Sequence, residues 1–431
     1  MFGLSVYPGV GTSARRRLAA LGRIGLIAGA VCHLALAAGA EAPQSFPEVF
    51  RLAERTSPRL REAEAQVGVA AGRSQQAAAW LNPQLGIEIE DFAGTGAYRG
   101  SSQAQTTVSL SEPLELGGQR SARVAAGRAE LATAQARRVQ VRIDFGFELA
   151  IAYAAAEATR TRVSLMEEDL VRARETLRST TALVAAGKEA ELRALQADAA
   201  ASAAEADLEA ARADDVAALS SLSSLVGVTD PFGGVGPSLL IATRPFAIEP
   251  PSPTASVTGP AIATAEAEHE TAERRLQVEQ RRAIPTPSLT VGARRLAGDD
   301  ATVWVAGVSI PVPLFDRNRG GIAAARAELD AAGARLRATR LDTAAAWRSA
   351  SAQAAAAHSR QLAADKAAAS AREAYRLAGI GYDAGRTPLY ELLTTRRALT
   401  DAQLRSLDTR LARLRAEASL ARIEGRVPFI E

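Results

Sequence analysis

The sequence Ala125-Ala126-Gly127-Arg128-Ala129-Glu130-Leu131 returns 198 residues later as Ala323-Ala324-Ala325-Arg326-Ala327-Glu328-Leu329. The same offset relates further glycines and prolines outside this heptapeptide, among them Gly187 and Gly385. Two unrelated alanine-rich helices would not agree at glycines and prolines. A solenoid has a period of about 20–50 residues, so a repeat this long predicts two copies of one supersecondary unit.

A β-hairpin is predicted near the start of each copy. The first covers residues 83–112, where Leu85, Ile87 and Ile89 alternate with glycine or acidic residues. The second covers residues 287–310, and its returning strand alternates less cleanly. Period-two alternation gives a strand one apolar face and one polar face.

Helices are predicted on both sides of each hairpin. One helix over 46–80 precedes the first hairpin, and a second over 261–283 precedes the other. A much longer helix follows the first hairpin from about 118 to 181, a stretch without proline. At 1.5 Å per residue it is about 100 Å long. Its apolar or small residues recur every seven positions, which predicts a coiled-coil seam: Leu149, Ala156, Val163, Leu170, Leu177 and Val184.

Short breaks turn each long helix back on itself. The first break lies at 185–188, and the returning helix runs to Val226. The second lies at 383–386 and is followed by another leucine-rich helix. The unit is therefore an antiparallel helical hairpin, and the fold class is mainly α with a small β component.

Five segments are expected along the chain. Residues 1–40 form a secretory signal peptide, because arginines precede an uncharged run that ends in small residues. Residues 228–260 are rich in proline and form a linker. The two repeats span 41–227 and 261–427, and residues 428–431 are a tail.

Charge and cysteine content exclude several functions. The 51 basic and 48 acidic residues become 47 and 48 once the four arginines of the leader are removed. This balance gives no electrostatic support for nucleic-acid binding. The single cysteine, Cys32, lies in the leader, so the remaining chain has none for a disulfide, a nucleophile or a metal. Both removal of Cys32 with the leader and its lipidation remain open.

The four strands pose a pairing problem. Strands of about nine residues can cross a bilayer when tilted, but four are too few to close a barrel, which needs about eight. Two isolated hairpins would also leave four edges unpaired. We therefore expect several protomers to share one transmembrane barrel, with Ile87 and Val108 facing lipid and the polar face lining the lumen.

Two further segments resemble those of a known family. Residues 112–120 read EPLELGGQR, and residues 310–320 read IPVPLFDRNRG. Over about residues 46–427 the chain is similar to outer-membrane efflux proteins of the TolC type, and within them to the heavy-metal-efflux branch typified by CzcC. The resemblance implies a homotrimer with a 12-stranded barrel, four strands per protomer, and a long α-helical barrel that reaches into the periplasm of a Gram-negative bacterium.

The same resemblance implies the partners and excludes an enzyme. Similar proteins dock onto a periplasmic adaptor, which connects them to an inner-membrane RND pump, and they have neither catalytic activity nor a cofactor. Gly187 and Gly385 match the turns at the periplasmic tip. Together with Lys188 and Arg386, they are the expected contacts of the adaptor.

A periplasmic gate is implied close to the second turn. Tyr382 lies three residues before Gly385 and Glu391 six after it, positions that resemble the tyrosine and the acidic residue that close the mouth in this family. Threefold symmetry would turn Glu391 into a ring of carboxylates that attracts cations. The second acidic position of the family is Thr394 here, and a solvated helix residue is the alternative for Glu391.

Heavy-metal cations are the expected cargo, yet the chain has few soft metal ligands. After the leader it has one methionine, Met166, and two histidines, His269 and His358. The carboxylates around His269 are typical of a solvated helix surface. Transfer of soft metals between ligands requires Cys or Met, so we expect no metal site and passage of metal as a solute in a wide aqueous duct.

Three other functions differ in how well the sequence fits them. A channel for drug efflux or type I secretion has the same architecture and stays open. A periplasmic coiled-coil adaptor would have one helical hairpin and more β sequence. An enzyme is not supported, because the sequence has no GxSxG, HExxH or phosphate-binding loop.

Overall fold

The structure is a computed structural model that describes residues 44–236, 239–240 and 258–430. The predicted signal peptide and most of the predicted linker's second half lie outside the described residues. In chain order the elements are α1 (Phe46–Thr56), α2 (Pro58–Ala78), β1 (Gln84–Glu90), β2 (Gln105–Pro113), α3 (Gln119–Ala185), α4 (Glu191–Val226), α5 (Pro260–Arg282), β3 (Ser288–Leu296), β4 (Ala301–Ser309), α6 (Arg319–Asp383) and α7 (Leu389–Ile423).

The prediction of one helix over 46–80 is wrong. Ser57 separates α1 from α2 and has an extended backbone, with φ −62° and ψ 122°. The cause is Pro58, whose ring disfavours helical geometry in the residue before it. Pro58 itself starts α2, where its missing N–H costs no hydrogen bond.

The four strands form one antiparallel sheet in the order β1-β2-β3-β4. β2 and β3 pair over nine residues, from Gln105 opposite Leu296 to Pro113 opposite Ser288. The two hairpins therefore pair with each other, so they are not isolated and four unpaired edges do not arise. Within the described residues, only β1 and β4 lie at edges of this sheet.

The two faces of the sheet differ in polarity. Ile87, Val108, Ala293 and Trp304 lie in one cross-strand row on the apolar face. On the other face Arg294 donates to Thr107 Oγ1 at 2.9 Å and to Gln105 Oε1 at 3.2 Å, and it forms an ion pair with Glu90. Ile87, Val108 and Trp304 are exposed in the single chain, so the described part of the protomer does not cover this face.

Small residues allow the long helices to pack closely. The predicted seam of α3 is buried or half-buried at all six positions. It packs against α4, whose buried positions recur three or four residues apart, as in a coiled coil: Ala197, Ala201, Ala204, Leu208 and Ala211. α6 packs against α7 in the same way, and α3 also contacts α7. Among the described residues, no helix is both long and apolar enough to cross a membrane.

The largest apolar core of the described residues lies where α1 and the C-terminal residues meet the long helices. Phe46 and Tyr153 are fully buried there, with ring centroids 5.6 Å apart. The Tyr153 hydroxyl lies 2.7 Å from the carbonyl oxygens of both Gln44 and Gly236. Phe429 stacks edge-on against Phe46. This core joins the start of the described chain, the linker and the C-terminal residues.

Candidate functional site

The ends of the two helical hairpins have the same backbone geometry. After α3, Gly187 has φ 69°, and the amides of Gly187 and Lys188 donate to the carbonyls of Val184 and Leu183. After α6, Gly385 has φ 68°, and the equivalent pair of hydrogen bonds forms there. Both turns are Schellman motifs, in which a left-handed residue ends the helix, and glycine adopts that conformation without steric cost.

The expected adaptor contacts are accessible at these turns. Gly187 and Lys188 are exposed at the first turn, and Gly385 and Arg386 are exposed at the second. A Cβ atom added to either glycine would meet no other atom within 4 Å. Each turn therefore presents an uncrowded backbone with one cationic side chain beside it.

The two expected gate residues lie in different environments. Tyr382 is buried within the protomer, and its hydroxyl lies 3.1 Å from Thr180 Oγ1 of α3. Leu389 and Leu392 of α7 are buried in the same cluster. Glu391 is exposed on the first turn of α7. The tyrosine thus joins the two hairpins, whereas the carboxylate is free to meet solvent.

A buried ion pair, not foreseen from the sequence, joins the two hairpins above the tips. Arg396 of α7 donates from Nη1 to Asp169 Oδ2 of α3 at 2.9 Å. Thr400 donates to the other carboxylate oxygen at 2.8 Å. Both charged side chains are at least nine-tenths buried. In sequence they look like ordinary charges on a helix and are 227 residues apart, so only the contact between α3 and α7 reveals the pair.

A second polar network fixes α6 to α7. Asp365 of α6 accepts hydrogen bonds from Ser406, Arg410 and Gln361. Burial raises the pKa of its carboxyl, but these hydrogen bonds outweigh burial and hold the pKa below its ordinary value of 3.8. Asp365 is therefore ionised at neutral pH and holds the second hairpin together.

Arginine–glutamate pairs line a cleft of about 770 Å³ between α2, α3, α5 and α6. Arg137 donates to Glu268 at 2.6 Å, and Arg275 donates to Glu130 at 2.7 Å. Of the acidic residues next to His269, Glu268 thus forms an ion pair that joins α5 to α3. Across the parts of the chain that the structure describes, no group of three or more His, Cys, Asp or Glu residues could hold a metal ion.

Long helical hairpins attached to a four-stranded sheet define a class of outer-membrane channel proteins. The chain belongs to this class, since the family model described as "Outer membrane efflux protein" matches residues 49–228 and 255–426. The family resemblance seen in the sequence is confirmed. The chain is therefore an efflux protein of the outer membrane of Gram-negative bacteria, and it extends into the periplasm. Members of this family are passive channels, so the protein is not an enzyme.

The named relatives of this chain are metal resistance proteins. The chain is 42% identical over 392 residues to the nickel-cobalt-cadmium resistance protein NccC of Alcaligenes xylosoxydans xylosoxydans, covering 91% of this chain and 89% of the relative. It is also 42% identical to the nickel and cobalt resistance protein CnrC of Cupriavidus metallidurans, covering 92% and 94%. Identity to the cobalt-zinc-cadmium resistance protein CzcC of the same organism is 27%, covering 90% and 91%.

Solved structures share the fold. CusC superposes with a TM-score of 0.77 at 19% identity, covering 89% of this chain and 93% of CusC. VceC of Vibrio cholerae superposes with a TM-score of 0.72 at 20% identity, covering 88% and 96%. At this identity the likeness concerns the fold alone.

Proposed function

We propose that this protein is the passive outer-membrane duct of a tripartite efflux system that exports heavy-metal cations. In this proposal three copies form the channel, a periplasmic adaptor holds its tip, and an inner-membrane RND pump drives the cargo. The metal cargo is supported by relatives that are 42% identical and named for nickel, cobalt and cadmium resistance. A channel for drug efflux or type I secretion is the alternative with the same fold.

The exposed apolar face of the sheet carries the proposal. Four strands cannot close a barrel, and within the described residues no strand pairs with the outer side of β1 or β4. Pairing β4 of one copy with β1 of the next would satisfy both edges. Three copies would give twelve strands, and the row that contains Ile87 and Val108 would then face lipid.

The helical region supports passage without specific binding. In the cleft the two glutamates paired across helices, Glu130 and Glu268, are bonded to arginines, which leaves those carboxylates less available to hold a cation. In this proposal a helical surface whose carboxylates are already paired lets cations pass as solutes. Selection of the cargo is then the task of the pump and the adaptor.

The tips of the helical hairpins hold both the residues that contact the adaptor and the residues of the gate. Gly187, Lys188, Gly385 and Arg386 lie exposed at the hairpin ends, where an adaptor reaches them from the periplasm. Glu391 would form a ring of three carboxylates in the trimer. Tyr382 would stabilise the closed position of the second hairpin through Thr180.

A substitution in β2 tests the assembly. Val108→Asp places a charge on the lipid face, where it must lose hydration, and we expect a large loss of trimer in the outer membrane. Ser109→Asp is the matched control, because it lies on the polar face of the same strand. Trimer yield is measured by sedimentation of the detergent-solubilised protein. Normal trimer from Val108→Asp would show that the faces are assigned wrongly.

A further inference from the structure

The four helices of the two hairpins form a layer, and the two helices at its edges carry exposed leucine and isoleucine side chains near the tips. α3 contacts both α4 and α7, and α7 also contacts α6, so the helices follow one another in the order α4–α3–α7–α6. α4 and α6 therefore lie at the two edges of this layer. Leu192 and Leu195 of α4, and Leu377 and Ile380 of α6, are each more than half exposed.

These four side chains lie at matching distances from the turns. Leu192 and Leu195 follow Gly187 by five and eight residues. Ile380 and Leu377 precede Gly385 by five and eight residues. Leu192 and Leu195 lie in the first two turns of α4, which begins at Glu191, and Leu377 and Ile380 lie in the last two turns of α6, which ends at Asp383. If α4 of one copy lies beside α6 of the next, the two apolar pairs meet within about one helical turn of each other.

The internal repeat indicates which helix covers α4. Leu393 of α7 is the residue 198 positions after Leu195. Leu393 is half-buried, and Leu183 of α3 packs against the same cluster. The equivalent of α3 in the second copy of the repeat is α6. Leu195 is more than half exposed and has no comparable cover among the described residues, so by the repeat its missing neighbour is an α6 from another molecule.

We propose that Leu192 and Leu195 of one copy pack against Leu377 and Ile380 of the next, which forms an apolar contact between protomers at the periplasmic end. This inference rests on the proposed trimer and adds the residues that hold neighbouring hairpins together there. It differs from the gate, because it lies at the edges of each protomer and involves no charge. Burial of four such side chains from water favours association.

Cysteine cross-linking tests the contact directly. We would combine Leu195→Cys with Leu377→Cys and treat purified trimer in detergent with a short thiol-specific cross-linker. The mismatched control combines Leu195→Cys with Leu341→Cys, since Leu341 is also exposed on α6 but lies about 54 Å further along the helix from Leu377. Each single-cysteine variant serves as a second control.

The expected result is covalent dimer and trimer from the matched pair on a denaturing gel, and only monomer from the mismatched pair and the single variants. Intact trimer that gives no covalent product from the matched pair would overturn the contact while leaving the trimer in place; an adaptor helix as the true occupant predicts that result. Equal products from matched and mismatched pairs would overturn it as well. A wild-type protein that sediments as a monomer would instead overturn the trimer itself.

Discussion

Arg396→Ala tests whether the buried ion pair holds the two hairpins together. The Arg396 and Asp169 side chains are only 4% and 10% exposed, and their charged atoms lie 2.9 Å apart. Removing the guanidinium leaves the carboxylate buried, with Thr400 as a neutral donor. Breaking such a buried pair costs about 3–5 kcal/mol, because the remaining charge is desolvated without compensation.

The chain offers a matched control on α3, the helix that carries Asp169. Arg174 of α3 pairs with Glu205 of α4 at 3.2 Å, but these side chains are 55% and 59% exposed. Water already solvates both groups, so Arg174→Ala is expected to cost less than about 1 kcal/mol. Both variants replace a helical arginine with alanine, which makes their effects on helix propensity alike.

The assay is guanidinium-induced unfolding in detergent, followed by the helical circular dichroism signal. Arg396→Ala should lower the free energy of unfolding by several times more than Arg174→Ala. A double variant, Asp169→Leu with Arg396→Met, should recover much of the loss, because an apolar pair needs no charge compensation. Equal shifts for Arg396→Ala and Arg174→Ala would refute the reasoning.

Three further predictions concern other parts of the chain. The pKa of Asp365 is lowered in the folded protein from its ordinary value of 3.8. Its stabilising contribution is therefore present above the ordinary value and is lost as the pH falls through the lower folded value. Thermal unfolding between pH 5 and pH 2 should depend less on pH in Asp365→Asn. Glu391→Lys should reduce cation selectivity of the channel in planar bilayers, and an unchanged reversal potential would remove Glu391 from the gate. Gly146→Ala should destabilise the protein, because the new Cβ would lie 2.6 Å from Val427 and 3.3 Å from Phe50. At Gly72 a Cβ would meet no atom within 4 Å, so Gly72→Ala should stabilise its helix by about 0.5–1 kcal/mol. A melting experiment measures both effects.

Local periodicity predicts the long helices and the apolar face of the first hairpin. The seven-residue spacing from Leu149 to Val184 marks the buried side of α3, because helix geometry returns a side chain to the same face every two turns. Alternation at Leu85, Ile87 and Ile89 likewise assigns one face of β1. The break at Ser57 also has a local signal, Pro58, which the spacing of apolar residues does not register.

Local sequence pattern does not identify the gate residues. Only the family resemblance points to Tyr382 and Glu391, and the structure shows that Tyr382 is buried against Thr180 and that Glu391 is exposed. Which side of α7 faces a lumen depends on how the copies assemble. Their roles therefore remain predictions to be measured.

Sequence alone determined that the chain forms paired long helices and amphipathic strands, since each of these patterns depends on residues only a few positions apart. Only the tertiary structure decided that β2 pairs with β3, and that Asp169 meets Arg396 across 227 residues. Many charged residues on the long helices are equivalent by local pattern. Which of them form ion pairs depends on which helices lie next to each other, and the packing of the whole chain determines that arrangement.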